Sequence, residues 1–227
     1  MLEIANPGTD NSSSSNRLFE QIRMRILTGE LAAGAKVTEA ELAQRYGVNR
    51  APLREALLRL EERRLIERVP FSGTRVFQPS TQMLYELYEV REVLEGLACR
   101  KVAEKITPDE IEELQRIVDE SSIRLAQMDE EALKLLPAIR DIHTRIAEIS
   151  GNQELQRILN GEIWHYLRGN HRRWVKSYDK RVVGGREHVR IVEAIRARDG
   201  ELAEFLMRRH IRASRVAWEE SLSGKEP

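Results

Sequence analysis

Two short helical segments separated by a three-residue turn constrain this chain more than any other feature. Thr38-Glu-Ala-Glu41 is a capping box, in which the Thr38 hydroxyl and the Glu41 carboxylate each satisfy an amide left free in the first helical turn. The helix it opens reaches only Tyr46, because Gly47 follows and can take the left-handed conformation a sharp turn requires. Asn49 is then an N-cap for the next helix, and Pro52 falls in its first turn, where a missing N–H costs nothing. Leu53, Leu57 and Leu60 give that second helix one apolar stripe. This is the order of a helix-turn-helix, with Asn49, Arg50, Ala51 and Arg54 at the leading end of the second helix.

The flanks extend the pattern. Residues 1–15, with Pro7, Gly8 and four consecutive serines, read as a mobile tail. From Asn16 onward Leu18, Ile22 and Ile26 share a helix face, and Gly29 can end that helix. Beyond the second helix of the pair, Ile66–Val69 and Arg75–Phe77 flank Pro70-Phe71-Ser72-Gly73 as a hairpin. Residues 16–77 therefore read as a winged helix-turn-helix, followed by a linker at 78–80. The formal net charge is zero, yet the stretch from Arg45 to Arg75 holds eight Arg against four Glu. A local basic surface of this kind suits a phosphate partner. Arg50 and Arg54, one turn apart, are placed to reach guanine edges or phosphates of double-stranded DNA, and Ser72 and Gly73 at the hairpin tip would lie along the adjacent backbone or minor groove. The competing reading is a solvated basic helix, which leaves the turn, the caps and the wing unexplained.

After Thr81 the strand signals stop, and residues 81–221 read as an all-α bundle of about six helices near 82–105, 108–128, 130–149, 153–176, 185–197 and 200–221. The fold class is mainly α. Aromatic residues are only 5% of the chain, which argues against a β-sandwich or a base-stacking single-strand binder. The lone Cys99 excludes an internal disulfide and a cysteine zinc site, and reads as a small buried hydrophobe. There is no apolar run near the length of a membrane span and no signal-peptide pattern, so the expectation is a cytoplasmic protein without a membrane partner.

His188 and His210 each lie eleven residues from Asp199, on either side of the Arg198-Asp199-Gly200 break. If the chain folds back there, the two imidazoles stand level on neighbouring antiparallel helices. Spacing alone leaves a metal site and a pair of packed histidines both open.

The stretch Ile26–Val76 resembles the DNA-binding head of the GntR family of bacterial transcription regulators. The pieces that carry the resemblance are Gly29-Glu-Leu31, Gly34, Glu41-Leu-Ala43, Gly47-Val48-x-Arg50-x-Pro52-x-Arg54-Glu-Ala-Leu57, Arg59-Leu60 and Gly73-x-x-Val76. Two positions depart from the pattern: Ala40 replaces a common DNA-contacting Arg, and Arg64 replaces the Gly that usually ends the recognition helix, which suggests a different helix exit. Residues 81 to about 218 resemble the FCD effector domain of that family's FadR branch, through Tyr88-Glu-Val-Arg91-Glu-Val-Leu94-Glu95, His143 with Ile149-Ser-Gly-Asn152, Glu187-His188, Ala194-Ile195, Asp199 and His210. The resemblance implies a homodimer that binds a pseudo-palindromic DNA operator, commonly a repressor released by a small organic acid.

The resemblance also implies a divalent metal held by His143, His188 and His210, together with an Asp four residues before the first of them. That position is Ile139, so the usual carboxylate is missing, and Asp141 lies about 200° around the helix from where it is needed. Three imidazoles can still hold Zn or Ni. Histidines bonded to one another or to a ligand are the other reading. Arg91 and Glu95 match family positions and are candidates to bind the small carboxylate effector, or else form a surface ion pair one turn apart. Trp164 is a candidate lining residue or simply core. The rival class is a helical metal-dependent hydrolase using the three-histidine site. Glu162-Ile-Trp-His165 has di-iron spacing but no second such motif, and no paired general base is visible.

Overall fold

The computed structural model of the 227-residue chain describes residues 7–127, 141–161 and 178–222. The chain divides into two compact units, Met1–Gln78 and Pro79–Pro227.

The first unit runs α1 (Pro7–Leu27), β1 (Lys36–Val37), α2 (Glu39–Tyr46), α3 (Arg50–Glu62), β2 (Ile66–Val69) and β3 (Gly73–Val76). Helix α1 begins inside the stretch expected to be a tail. Once its Leu18, Phe19, Ile22 and Ile26 face is buried, each residue added upstream gains a hydrogen bond, and serine opposes that only weakly. Against this face pack Leu53, Ala56, Leu57 and Leu60 of α3. One half of the capping box forms as expected, with the Glu41 amide donating to the Thr38 hydroxyl at 3.2 Å, while the Glu41 carboxylate accepts from that hydroxyl at 2.8 Å rather than from the Thr38 amide. Gly47 ends α2 at φ 62, the left-handed turn that aims α3.

The strands form one antiparallel sheet in the order β1-β3-β2. The two-residue β1 is too short to leave a sequence signal. The far arm of the hairpin is Gly73–Val76 rather than Arg75–Phe77, because Val69 pairs with Gly73 and the turn closes over only three residues. The exit of α3 also departs from expectation. Arg64 takes φ 55, its amide donates to the Glu61 carbonyl, and the Leu65 amide donates to the Leu60 carbonyl, each at 2.9 Å. That is the Schellman ending a glycine would give, so the arginine leaves the exit unchanged and carries the strain of a left-handed side chain.

The second unit has six helices among the described residues: α4 (Thr81–Lys105), α5 (Pro108–Gln127), α6 (Ile142–Ile149), α7 (Gln153–Leu159), α8 (Tyr178–Arg196) and α9 (Gly200–Leu222). Ser80 caps α4, and Thr107 with Glu110 forms the capping box of α5. Residues 130–140 of the helix expected over 130–149 lie outside the described residues; a helix starts at Ile142, where the Asp141 side chain accepts the Thr144 amide at 2.9 Å and caps it. The next helix ends at Leu159, residues 162–176 of the span expected for it lie outside the described residues, and α8 covers Tyr178–Arg196, reaching earlier than 185. Helices α4 and α9 run antiparallel along most of their length, joined by Arg100–Glu204 at one end and Arg212–Glu92 farther along. Trp218, fully buried, stacks on Tyr88 at 5.9 Å and meets Tyr85 edge-on at 5.3 Å. Cys99 is buried in this core, where burial pushes its thiol well up and leaves it an inert apolar filler. No helix of the described residues is long and apolar enough to cross a membrane.

Candidate functional site

In the first unit, Asn49, Arg50, Ala51 and Arg54 are all exposed at the leading end of α3. Asn49 occupies the N-cap position with extended backbone but makes no capping hydrogen bond, so its amide is not committed to the helix. The Arg54 guanidinium pairs with Glu39 at 3.0 Å, both side chains largely exposed. An ion pair so exposed is worth little and exchanges readily for a phosphate or a base edge. Ser72 lies in the hairpin turn and Gly73 opens β3 at φ 86.

In the second unit, the chain folds back where the sequence indicated. Arg198 takes φ 58 with its amide bonded to the Ile195 carbonyl, and Asp199 caps α9 through the Leu202 amide. His188 of α8 and His210 of α9 are thereby level, with their Nε2 atoms 3.1 Å apart. His143 of α6 completes the group, and one ring nitrogen from each of the three lies within 4.8 Å of the others. His143 and His210 are buried and His188 is half-buried.

Two carboxylates stand behind these imidazoles. Glu187 accepts from His210 Nδ1 at 2.9 Å, and Glu95 is hydrogen-bonded to His143 Nδ1. A carboxylate on Nδ1 fixes the tautomer, so Nε2 keeps its lone pair and faces the cluster. Two nitrogens on one tetrahedral zinc stand about 3.4 Å apart, close to the separation of the His188–His210 pair. The donor set therefore fits a divalent metal. Burial lowers the His210 pKa, with Glu187 opposing, which keeps the ring neutral as a metal ligand must be. The His210 hydrogen bond holds the Glu187 carboxyl below the usual carboxylate range.

Glu95 serves two partners. Its other oxygen accepts from Arg91 Nε at 2.6 Å, and both side chains are at most 5% exposed. The pair does have the one-turn spacing of a surface ion pair, but it is buried. Its two members are shielded from water, and the bond from Glu95 to His143 joins α4 to α6. Burial opposes the Arg91 charge, but Glu95, together with Tyr88 and Asp141, outweighs it and holds the guanidinium above its ordinary pKa. Asp141 is spent as the α6 cap. Ile139, Trp164, His165 and His171 lie outside the described residues. Sequence reasoning missed Glu187 as a partner of His210, and its only signal was adjacency to His188. It also missed the Glu95–His143 bond, which spans 48 positions and has no local signature.

A winged helix-turn-helix followed by a helical unit with a buried polar centre defines a DNA-binding transcription regulator rather than an enzyme. The chain belongs to the GntR regulators that carry an FCD domain: residues 14–76 match the bacterial regulatory proteins, gntR family, and residues 86–213 match the FCD domain. It is 30% identical over 181 residues to the Nta operon transcriptional regulator of Aminobacter aminovorans, covering 77% of this chain and 80% of that one. It is 27% identical over 118 residues to the gluconate operon transcriptional repressor of Bacillus licheniformis, covering 52% of this chain and 48% of that one. The fold is similar to that of a GntR regulator from Rhodococcus sp. RHA1, with TM-score 0.74, 21% identity, and coverage of 94% of this chain and 100% of that one. Nothing in these similarities supports a hydrolase.

Proposed function

We propose that this protein is a cytoplasmic repressor whose operator binding is released when a small carboxylate enters the helical unit and binds beside a divalent metal on His143, His188 and His210. The observation that carries the reading is the cluster of three histidines backed by Glu95 and Glu187. A divalent ion there brings two positive charges. Arg91 and Glu95 cancel each other, and Glu187 removes one more charge, so one positive charge remains in a buried place. A monocarboxylate balances it, and Arg91 is near enough to the cluster to orient it. The relative that regulates a gluconate operon fits an acid effector, although the match covers only part of each chain. When bound, the metal supplies a Lewis-acidic anchor for the acid. Arg91, Glu95 and Glu187 set its charge and orientation.

The surface of the same unit supports a homodimer. Val90 and Val93 of α4 and Leu202, Phe205 and Val216 of α9 are exposed on two helices that pack side by side, and Phe205 is 58% exposed. An apolar surface of this kind suits a second copy. Two copies would place two heads on a pseudo-palindromic operator, read through Asn49, Arg50, Ala51, Arg54, Ser72 and Gly73.

The test has two arms. A duplex is selected from a random DNA pool by the intact protein, and a panel of carboxylates and sugar acids is then titrated into that complex with zinc present. A member of the panel should raise the melting temperature and release the duplex, and Arg50→Ala with Arg54→Ala should abolish specific retention. A panel that neither stabilises the protein nor shifts the complex would refute the acid effector.

A further inference from the structure

The hairpin tip holds a residue its backbone does not suit. The Ser72 amide donates to the Val69 carbonyl at 3.0 Å, closing a four-residue turn with Pro70 and Phe71 at its centre. Proline fixes φ near −65° at the first central position, and Phe71 has φ 60 at the second. That is a type II turn, whose second central position calls for glycine or asparagine because a side chain there clashes with the backbone. Phe71 is also wholly exposed, at 111% of the reference surface, and gains nothing from packing. Neither folding nor solubility favours a phenylalanine at this position, and strain kept at an exposed tip points to a role in contact with a partner.

The surroundings identify the partner. The tip is flanked by Arg68 on β2, whose exposed ion pair with Glu61 at 3.1 Å can exchange for a phosphate, and by Arg75 on β3. The Arg75 guanidinium reaches back to the Gly34 carbonyl at 3.0 Å and toward the Ser72 hydroxyl at 3.5 Å. The Lys36 side chain runs alongside Gly73. An apolar ring at a tip with cations on the adjoining strands suits a minor groove, where phosphates line the rims and an apolar side chain can insert between base steps. We propose that Phe71 is an apolar wedge that enters the minor groove beside the major-groove site of α3 and bends the operator. The turn then does two things: it lifts the ring clear of the sheet, and it leaves Arg68, Arg75 and Lys36 to hold the phosphates on either side.

The proposal rests on the DNA-binding reading, and the experiment separates the two. The intact wild-type chain selects a duplex from a random-sequence pool. That duplex, labelled at both ends with a donor and an acceptor, is the probe for affinity and bend. Phe71→Gly fits the turn, so it should fold and melt a few degrees higher than wild type. It should bind the probe at least about tenfold more weakly and bend it less. Phe71→Leu keeps an apolar wedge and should stay within a few-fold of wild type with the bend retained. The wedge is overturned if Phe71→Gly binds and bends the probe as wild type does, if it loses affinity with the bend unchanged, or if Phe71→Leu fails as badly as the glycine. A wild-type chain that selects no duplex overturns the DNA-binding reading and the wedge together, whereas a defect confined to Phe71→Gly leaves that reading standing.

Discussion

His188 and His210 face each other across the α8–α9 hairpin with Nε2 atoms 3.1 Å apart, and Glu187 sits behind His210 at 2.9 Å. If this geometry holds a metal, zinc at a hundred times its dissociation constant should stabilise the intact protein by about 2.7 kcal/mol. Thermal scans with zinc and with a chelator, together with metal analysis of untagged protein, measure this. His188→Ala should remove most of the zinc-dependent shift, and an unchanged melting temperature across all conditions would make the histidines a hydrogen-bonded cluster.

Glu187→Gln tests the carboxylate behind the ring. The amide keeps the shape but no longer favours Nδ1–H on His210, so metal affinity should drop by about 10–100-fold while the chelated protein melts nearly as before. Competitive titration against a zinc indicator gives the affinity. Equal affinity in the two proteins would show that Glu187 does not orient the ligand.

The buried Arg91–Glu95 pair predicts an asymmetry. Glu95→Ala strands a buried guanidinium and frees His143 from its partner, and should cost about 3–5 kcal/mol in urea unfolding. Replacing both members, as Arg91→Met with Glu95→Leu, should recover a large part of that loss, because no uncompensated charge remains. Additive losses in the double variant would contradict the pairing.

Tyr88 predicts an alkaline limit. Burial pushes its hydroxyl up to about 12. An unfolded tyrosine ionises near about 10, so the native state holds its proton over a window where the unfolded chain releases it. The contribution is complete below pH about 10 and is lost as pH climbs toward about 12, amounting to roughly 2–3 kcal/mol at the top of the window. Urea midpoints measured from pH 9 to 11.5 should fall less steeply in Tyr88→Phe than in wild type.

Arg64→Gly should stabilise the first unit by about 0.5–1 kcal/mol, since glycine accepts the left-handed backbone while adding some unfolded-state entropy. Arg64 is exposed, so packing is not lost with the side chain. A destabilised variant would mean that the arginine has a compensating contact.

The features legible in the sequence were those with a local cause. The Thr38–Glu41 box, the Gly47 turn and the Arg198-Asp199-Gly200 break each follow from one or two residues and a nearby hydrogen bond, and they place α2, α3 and the histidine hairpin. The resemblance to a known family added His143, which no spacing rule ties to His188. What escaped was non-local or strained. Glu95 reaches His143 only because α4 and α6 pack, β1 exists only because β3 is beside it, and Arg64 and Phe71 occupy left-handed positions that propensity assigns to glycine. Ile139 suggested a centre short of acid. Yet Glu95 and Glu187 supply carboxylates to the rings from α4 and α8.

Helix α4 carries Glu95 near its middle and begins at Thr81, two residues past the boundary of the first unit. At about 1.5 Å per residue, the span from Glu95 back to Thr81 is a lever arm of roughly 21 Å. A tilt of about 5° pivoting at Glu95 would sweep the far end through about 2 Å, so a small displacement at the histidines would be enlarged at the start of α4.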